Sequence, residues 1–177
     1  MMKTTEKDTP IAAQIVGSDP EVMLRAAHKV LENAPITFLD INAACPAKKV
    51  LKKKAGACLL RDSATLYRII ELLASSLPVP VTVKMRLAHQ NETLQEIVDI
   101  ARRCELAGAR AIFVHGRTRL QFYSGDIDYR SIKMIKEAVR IPVIGSGNIF
   151  TPELAKKMLD ETGCDGILVA RGVFGNP

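Results

Sequence analysis

Cys45 stands in the stretch LDINAACPAKKV, between the polar end of an apolar run at Asn42 and a set of lysines. A thiol ordinarily titrates near ~8.5, so at neutral pH it holds a proton it can donate, and once ionised it is a nucleophile. Pro46 confines the residue before it to extended or turn geometry, which fixes where that thiol points. Most free cysteines are small buried hydrophobes, and Cys58, Cys104 and Cys164 are read that way from their apolar or turn surroundings. Cys45 is read as functional because it opens a loop directly after a strand.

Three further groups carry chemistry. Lys48, Lys49, Lys52, Lys53 and Lys54 form a compact positive patch that suits the phosphates of a nucleic acid, a solvated face being the alternative. VTVKMR places Lys84 and Arg86 on one face of a strand end, because residues two apart share a face. His115 and Arg117 repeat that arrangement in VHGRTR. His28 and His89 lie elsewhere and make no metal-ligand spacing with His115, so no zinc site is argued. Tyr123 is read as a local packing anchor that could also stack on a base.

The elements that position these residues follow from the periodicity. The chain of 177 residues carries a net charge of +6, is 47% hydrophobic and 25% charged, and reads as one globular domain or part of one. No apolar run is long enough to span a bilayer, and the polar opening MMKTTEKDTP lacks a secretory apolar segment, so a cytosolic protein with reduced thiols is expected. β-Branched runs alternate with amphipathic stretches: strands at IAAQIVG, ITFLDIN, VPVTVKM, RAIFVHG, IPVIGSG and DGILVAR, with five helical connections. The first helix is capped by Ser18 or Asp19 ahead of Pro20.

Strands apolar almost throughout belong to a parallel sheet that is covered on both faces or closed on itself. The candidates are an open doubly wound sheet and a (β/α)8 barrel. Polar residues end all six strands, at Gln14, Asn42, Lys84, His115, Ser146 and Arg171, and this favours a barrel mouth over a single switch point. The glycine-rich turns GSGN and ARGVFG suit a phosphate between the last two strands of a barrel. If they follow strands seven and eight, the chain is an α/β (β/α)8 TIM barrel with six strands, lacking the first two.

Taken together, QIVGSDP, LDINAACPAKKV…GACLL, VPVTVKMR, VHGRTRLQFYSGDIDY, IPVIGSGNI and VARGVFGNP resemble the tRNA-dihydrouridine synthases, in order and at matching spacing from about Ile11 to Pro177. The resemblance implies an FMN-dependent barrel enzyme that reduces uridine in tRNA with NADPH as reductant, without a metal, and monomeric in its full-length form. It makes Cys45 the acid that protonates the uracil ring and Asn42 a contact near flavin and base. Gln14, Lys84 and His115 would contact FMN, and Ser146, Gly147, Asn148, Ala170 and Arg171 would hold its phosphate. Arg86, Arg117 and the lysines 48, 49, 52 and 53 would meet tRNA. The family usually has glycine at the positions of Ala44 and Ala170, asparagine at Ser146 and aspartate at Asn148.

Two other readings stand beside this one. The first is a non-catalytic RNA-binding remnant of the family. The second is an FMN barrel oxidoreductase of the dihydroorotate type acting on a small molecule, against which the lysine patch counts. With six strands the QIVG and ILVA edges are expected to be unpaired, and a flavin held by this polypeptide alone would lack part of its wall.

Overall fold

The computed structural model describes residues 8–89 and 92–175. Six parallel strands, β1 (Ala12–Ile15), β2 (Phe38–Ala43), β3 (Val81–Arg86), β4 (Ile112–His115), β5 (Val143–Ser146) and β6 (Gly166–Leu168), pair strictly in chain order. Consecutive parallel pairing with helical crossovers is the topology of a TIM barrel, here an incomplete one of six strands. Among the described residues β1 and β6 each pair on one side only, as the strand count requires.

Alternation along the strands divides the two faces. In β2, Leu39, Ile41 and Ala43 are fully buried beneath the helices, whereas Phe38, Asp40 and Asn42 look inward. Val81, Val83 and Met85 of β3 and Ile112 and Val114 of β4 continue the outer core. Inward, Phe38 and Phe113 stack with centroids 6.1 Å apart below the polar mouth.

The five long helices are α1 (Pro20–Asn33), α4 (Ser63–Ser76), α5 (Leu94–Leu106), α6 (Tyr129–Ala138) and α7 (Pro152–Thr162). Each begins at a side-chain cap that satisfies an orphan backbone N–H: Asp19, Asp62, Thr93, Asp128 and Thr151. Thr93 and Glu96 close a full capping box. At the first helix Asp19 is the cap, while Ser18 Oγ donates instead to the Lys53 carbonyl at 2.8 Å. Two short helices lie between β2 and α4, where the periodicity assigns no element: α2 (Lys48–Leu51) and α3 (Cys58–Arg61). Among the described residues no helix is long and apolar enough to cross a membrane.

Candidate active site

The strand ends converge on a cavity of about 420 Å³ lined by Gln14, Asn42, Cys45, Lys84, Arg86, His115, Ser146, Gly147, Asn148, Ala170 and Arg171, among others. Sheet register produces this convergence. Asn42 lies beside Lys84, Arg86 beside His115, and His115 beside Ser146. Arg117 is not part of the wall, and neither are the five lysines after Cys45.

The loop that carries Cys45 is tied at every turn. Asn42 Oδ1 accepts from the peptide nitrogens of Ala44 at 3.1 Å and Cys45 at 2.8 Å. The Cys45 carbonyl accepts from the Ala57 nitrogen at 3.1 Å. Arg86 Nε donates to the Ala44 carbonyl at 2.9 Å, and its Nη1 donates to the carbonyls of Thr118 and Phe122. Beneath the loop Gly56 has a φ of 63°, and a Cβ there would lie 2.7 Å from the Cys45 carbonyl oxygen. Cys45 is half-buried on this tied loop and lines the cavity wall together with Pro46.

The turn after β4 contributes Tyr123 to the cavity wall and is braced from behind. Arg117, almost wholly buried, donates Nε and Nη2 to the Gly125 carbonyl and Nη1 to Asn148 Oδ1, which joins that turn to the one after β5. Asn148 has a φ of 52°, a left-handed conformation that asparagine tolerates. The turns after β5 and β6 also pack closely, because a Cβ on Gly172 would collide with the Ile149 carbonyl. Arg171 is exposed, with its guanidinium 5.0 Å from the Tyr123 ring centroid and 5.3 Å from that of Phe150.

The electrostatics have one sign. Burial, reinforced by Arg86, Lys84, Arg117 and Arg171, pulls the His115 imidazole down to about 3, so it is neutral at physiological pH. Its Nε2 is buried without a hydrogen-bond partner among the described residues. Burial and Arg86 lower Lys84 while Asp40 and Cys45 oppose the shift, and no described residue forms a salt bridge with it. A cavity walled by cations and a neutral imidazole suits an anionic ligand.

All four cysteines carry free thiols. Cys104 is fully buried and pushed up to about 12 by that burial, in keeping with a packing role. The lysines at 48, 49, 52, 53 and 54 are all exposed on α2 and the turn after it, and none forms an ion pair among the described residues. Sequence reasoning missed Asp40, Thr82, Gly56 and Phe150. An acid within the apolar run FLDINA was the one available signal for Asp40.

Across residues 1–177 the chain matches the family model described as "Dihydrouridine synthase (Dus)". The chain belongs to the dihydrouridine synthase family. It is 41% identical over 171 residues to the tRNA-dihydrouridine synthase B of Pseudomonas aeruginosa, covering 97% of this chain and 51% of that protein. It is 40% identical over 169 residues to a probable tRNA-dihydrouridine synthase of Rickettsia bellii, covering 96% of this chain and 51% of that one. The dihydrouridine synthase chain therefore spans about half the length of the curated relatives it matches. By fold it is similar to the Amycolatopsis orientalis BexX/CysO complex, with TM-score 0.64, 17% identity and coverage of 95% of this chain and 60% of that one. It is also similar to N-acetylneuraminate lyase from Mycoplasma synoviae, with TM-score 0.64, 14% identity and coverage of 93% and 55%.

Proposed function

We propose that this dihydrouridine synthase chain forms the catalytic part of an FMN- and NADPH-dependent tRNA-dihydrouridine synthase, with Cys45 as the proton donor. The observation that carries the reading is Cys45 held on the wall of the cation-lined cavity at the strand ends.

The residues present fit FMN. Among the described residues the buried Nε2 of His115 has no hydrogen-bond partner, and the surrounding cations favour a phosphate or a reduced, negatively charged ring. Lys84, Gln14 and His115 would hold the ring system, and Ser146, Gly147, Asn148, Ala170 and Arg171 the phosphate. When bound, FMN recharged by NADPH supplies the hydride that reduces the uracil double bond.

The chain's own residues do the rest. Cys45 Sγ gives its proton to the uracil carbon that does not receive hydride, and the tied loop keeps the thiol aimed at that carbon. Asn42 meets the base, and Lys84, its register partner on the adjacent strand, stabilises negative charge in the cavity. The target uridine must leave its stack to reach the strand ends, so the RNA around it needs a basic surface. Lys48, Lys49, Lys52 and Lys53 supply that surface beside the cavity, while Arg86 and Arg117 brace its wall.

With the six strands completed to a closed barrel, Cys45→Ala should bind FMN and tRNA as before and form dihydrouridine about 10²–10⁴-fold more slowly. Near-normal turnover by that variant would remove the thiol from the mechanism. Failure of the same completed barrel with Cys45 intact to quench FMN fluorescence would remove the flavin reading itself.

A further inference from the structure

Two inward-facing residues that the proposed chemistry does not use, Asp40 and Thr82, form a line with Gln14 in one layer of the sheet. Register sets Gln14 beside Asp40 and Asp40 beside Thr82, on three adjacent strands. Asp40 is 6% exposed. Its Oδ1 accepts from Thr82 Oγ1 at 2.7 Å and its Oδ2 from Gln14 Nε2 at 2.6 Å. Gln14 Oε1 then accepts from Asn42 Nδ2 at 2.7 Å, and Asn42 Oδ1 accepts from the peptide N–H groups of Ala44 and Cys45.

We propose that Asp40 is a positioning residue whose carboxylate sets the direction of this relay, fixing both amides so that Asn42 presents oxygen to the Cys45 peptide. The inference rests on the role given above to Cys45. A carboxylate only accepts, so Gln14 must turn its NH₂ group toward Asp40 and its oxygen toward Asn42. Asn42 must then offer NH₂ to Gln14 and oxygen to the loop. The far end agrees, because two peptide N–H groups only donate. An amide flipped anywhere along the line would set donor against donor, so the relay has one self-consistent orientation.

The relay also explains why an acid is tolerated in an apolar strand. Burial pushes the Asp40 carboxyl up, while the Gln14 and Thr82 donors and nearby Lys84 oppose that shift. The carboxylate excludes the reversed orientation at the near end as the two peptide N–H groups do at the far end, and an amide oxygen in its place could serve the same relay.

The test is iodoacetamide labelling of the native chain without flavin, tRNA or NADPH, with each cysteine followed separately by peptide mass spectrometry. It does not depend on activity, so its outcome is separable from the fate of the functional reading. Loss of one locking hydrogen bond raises the open population of a loop about fivefold, so Asp40→Leu should label Cys45 about fivefold faster, with Cys58 unchanged. Gln14→Leu, at an exposed position on an edge strand, should do the same without threatening the fold. Asp40→Asn should stay close to the unaltered rate, because its oxygen can face Gln14 while its NH₂ donates to the Thr82 hydroxyl. Unchanged Cys45 labelling in Gln14→Leu, equal acceleration by Asp40→Asn and Asp40→Leu, or parallel acceleration of Cys58 would each overturn the relay.

Discussion

Arg86 Nε donates to the carbonyl oxygen of Ala44 at 2.9 Å, so a guanidinium on β3 holds the residue immediately before Cys45 on the loop after β2. The same side chain reaches Thr118 and Phe122 in the turn after β4, and three strand-end segments therefore share one fork of donors. Lysine has the charge without the fork. Arg86→Lys should lose most of these bonds and destabilise the fold by about 1.5–3 kcal/mol in urea titration, with Arg86→Ala worse. Proteolysis of the 118–125 turn should accelerate in both variants, and an unchanged rate would show that Arg86 does not hold that segment.

Gly56 offers a sharper test of the loop's rigidity. Its positive φ is shared with Gly163, but a Cβ on Gly163 would meet nothing within 4 Å, whereas one on Gly56 would press on Cys45 and Val50. Both alanine variants carry a left-handed strain of about 1–2 kcal/mol. Gly56→Ala should cost more than Gly163→Ala by thermal melting and should alone alter the labelling rate of Cys45. Equal melting temperatures for the two variants would mean that the loop yields without cost.

The strands were legible because their outer residues are uniformly apolar: Leu39, Ile41, Val83, Ile112 and Val143 lie fully buried under the helices and leave a plain pattern in the chain. The strand-end rule found Cys45, Lys84 and His115 for the same reason, since the rule needs only the order of elements. It did not reveal what the arginines do. Arg86 and Arg117 bond chiefly to main-chain carbonyls, and a carbonyl carries no residue identity, so no pattern in the sequence marks it as a partner. The helices α2 and α3 have four residues each, about one turn, which is too short to show a period. Gly56 lies next to Cys45 only because the intervening lysine segment folds back, a tertiary event with no local trace.

The basic segment beside the cavity should be readable as salt dependence. Lys48, Lys49, Lys52, Lys53 and Lys54 are exposed and free of ion pairs among the described residues, so their charge is available to phosphate. Replacing three of them with glutamine should weaken tRNA binding regardless of sequence. Each lost phosphate contact should reduce the slope of log K against log salt by about 0.9 for duplex-like RNA. A slope that does not move would return these lysines to the role of a solvated face.

His115 makes the electrostatics of the cavity measurable without any ligand. Its folded value of about 3 lies below the ordinary histidine value of 6.5, so as pH falls the unfolded chain takes up the proton first. The imidazole therefore leaves stability intact above about 6.5 and erodes it progressively as pH drops from there toward 3. Other groups titrate in the same window: Asp165 is lowered and loses stability on acidification, whereas Asp40 is raised and works in the opposite direction. The difference between two proteins isolates the histidine. His115→Gln should show a shallower fall in melting temperature between pH 7 and pH 4 than the unaltered chain, with the two curves closest at pH 4 if glutamine is the less stable at pH 7. An added anion that occupies the cavity, such as FMN, should counter the charge of Lys84, Arg86 and Arg171 and make protonation of His115 easier, which would reduce the acid sensitivity of the unaltered chain. Parallel melting curves for the two proteins across this range would show that neither burial nor the surrounding cations lower His115.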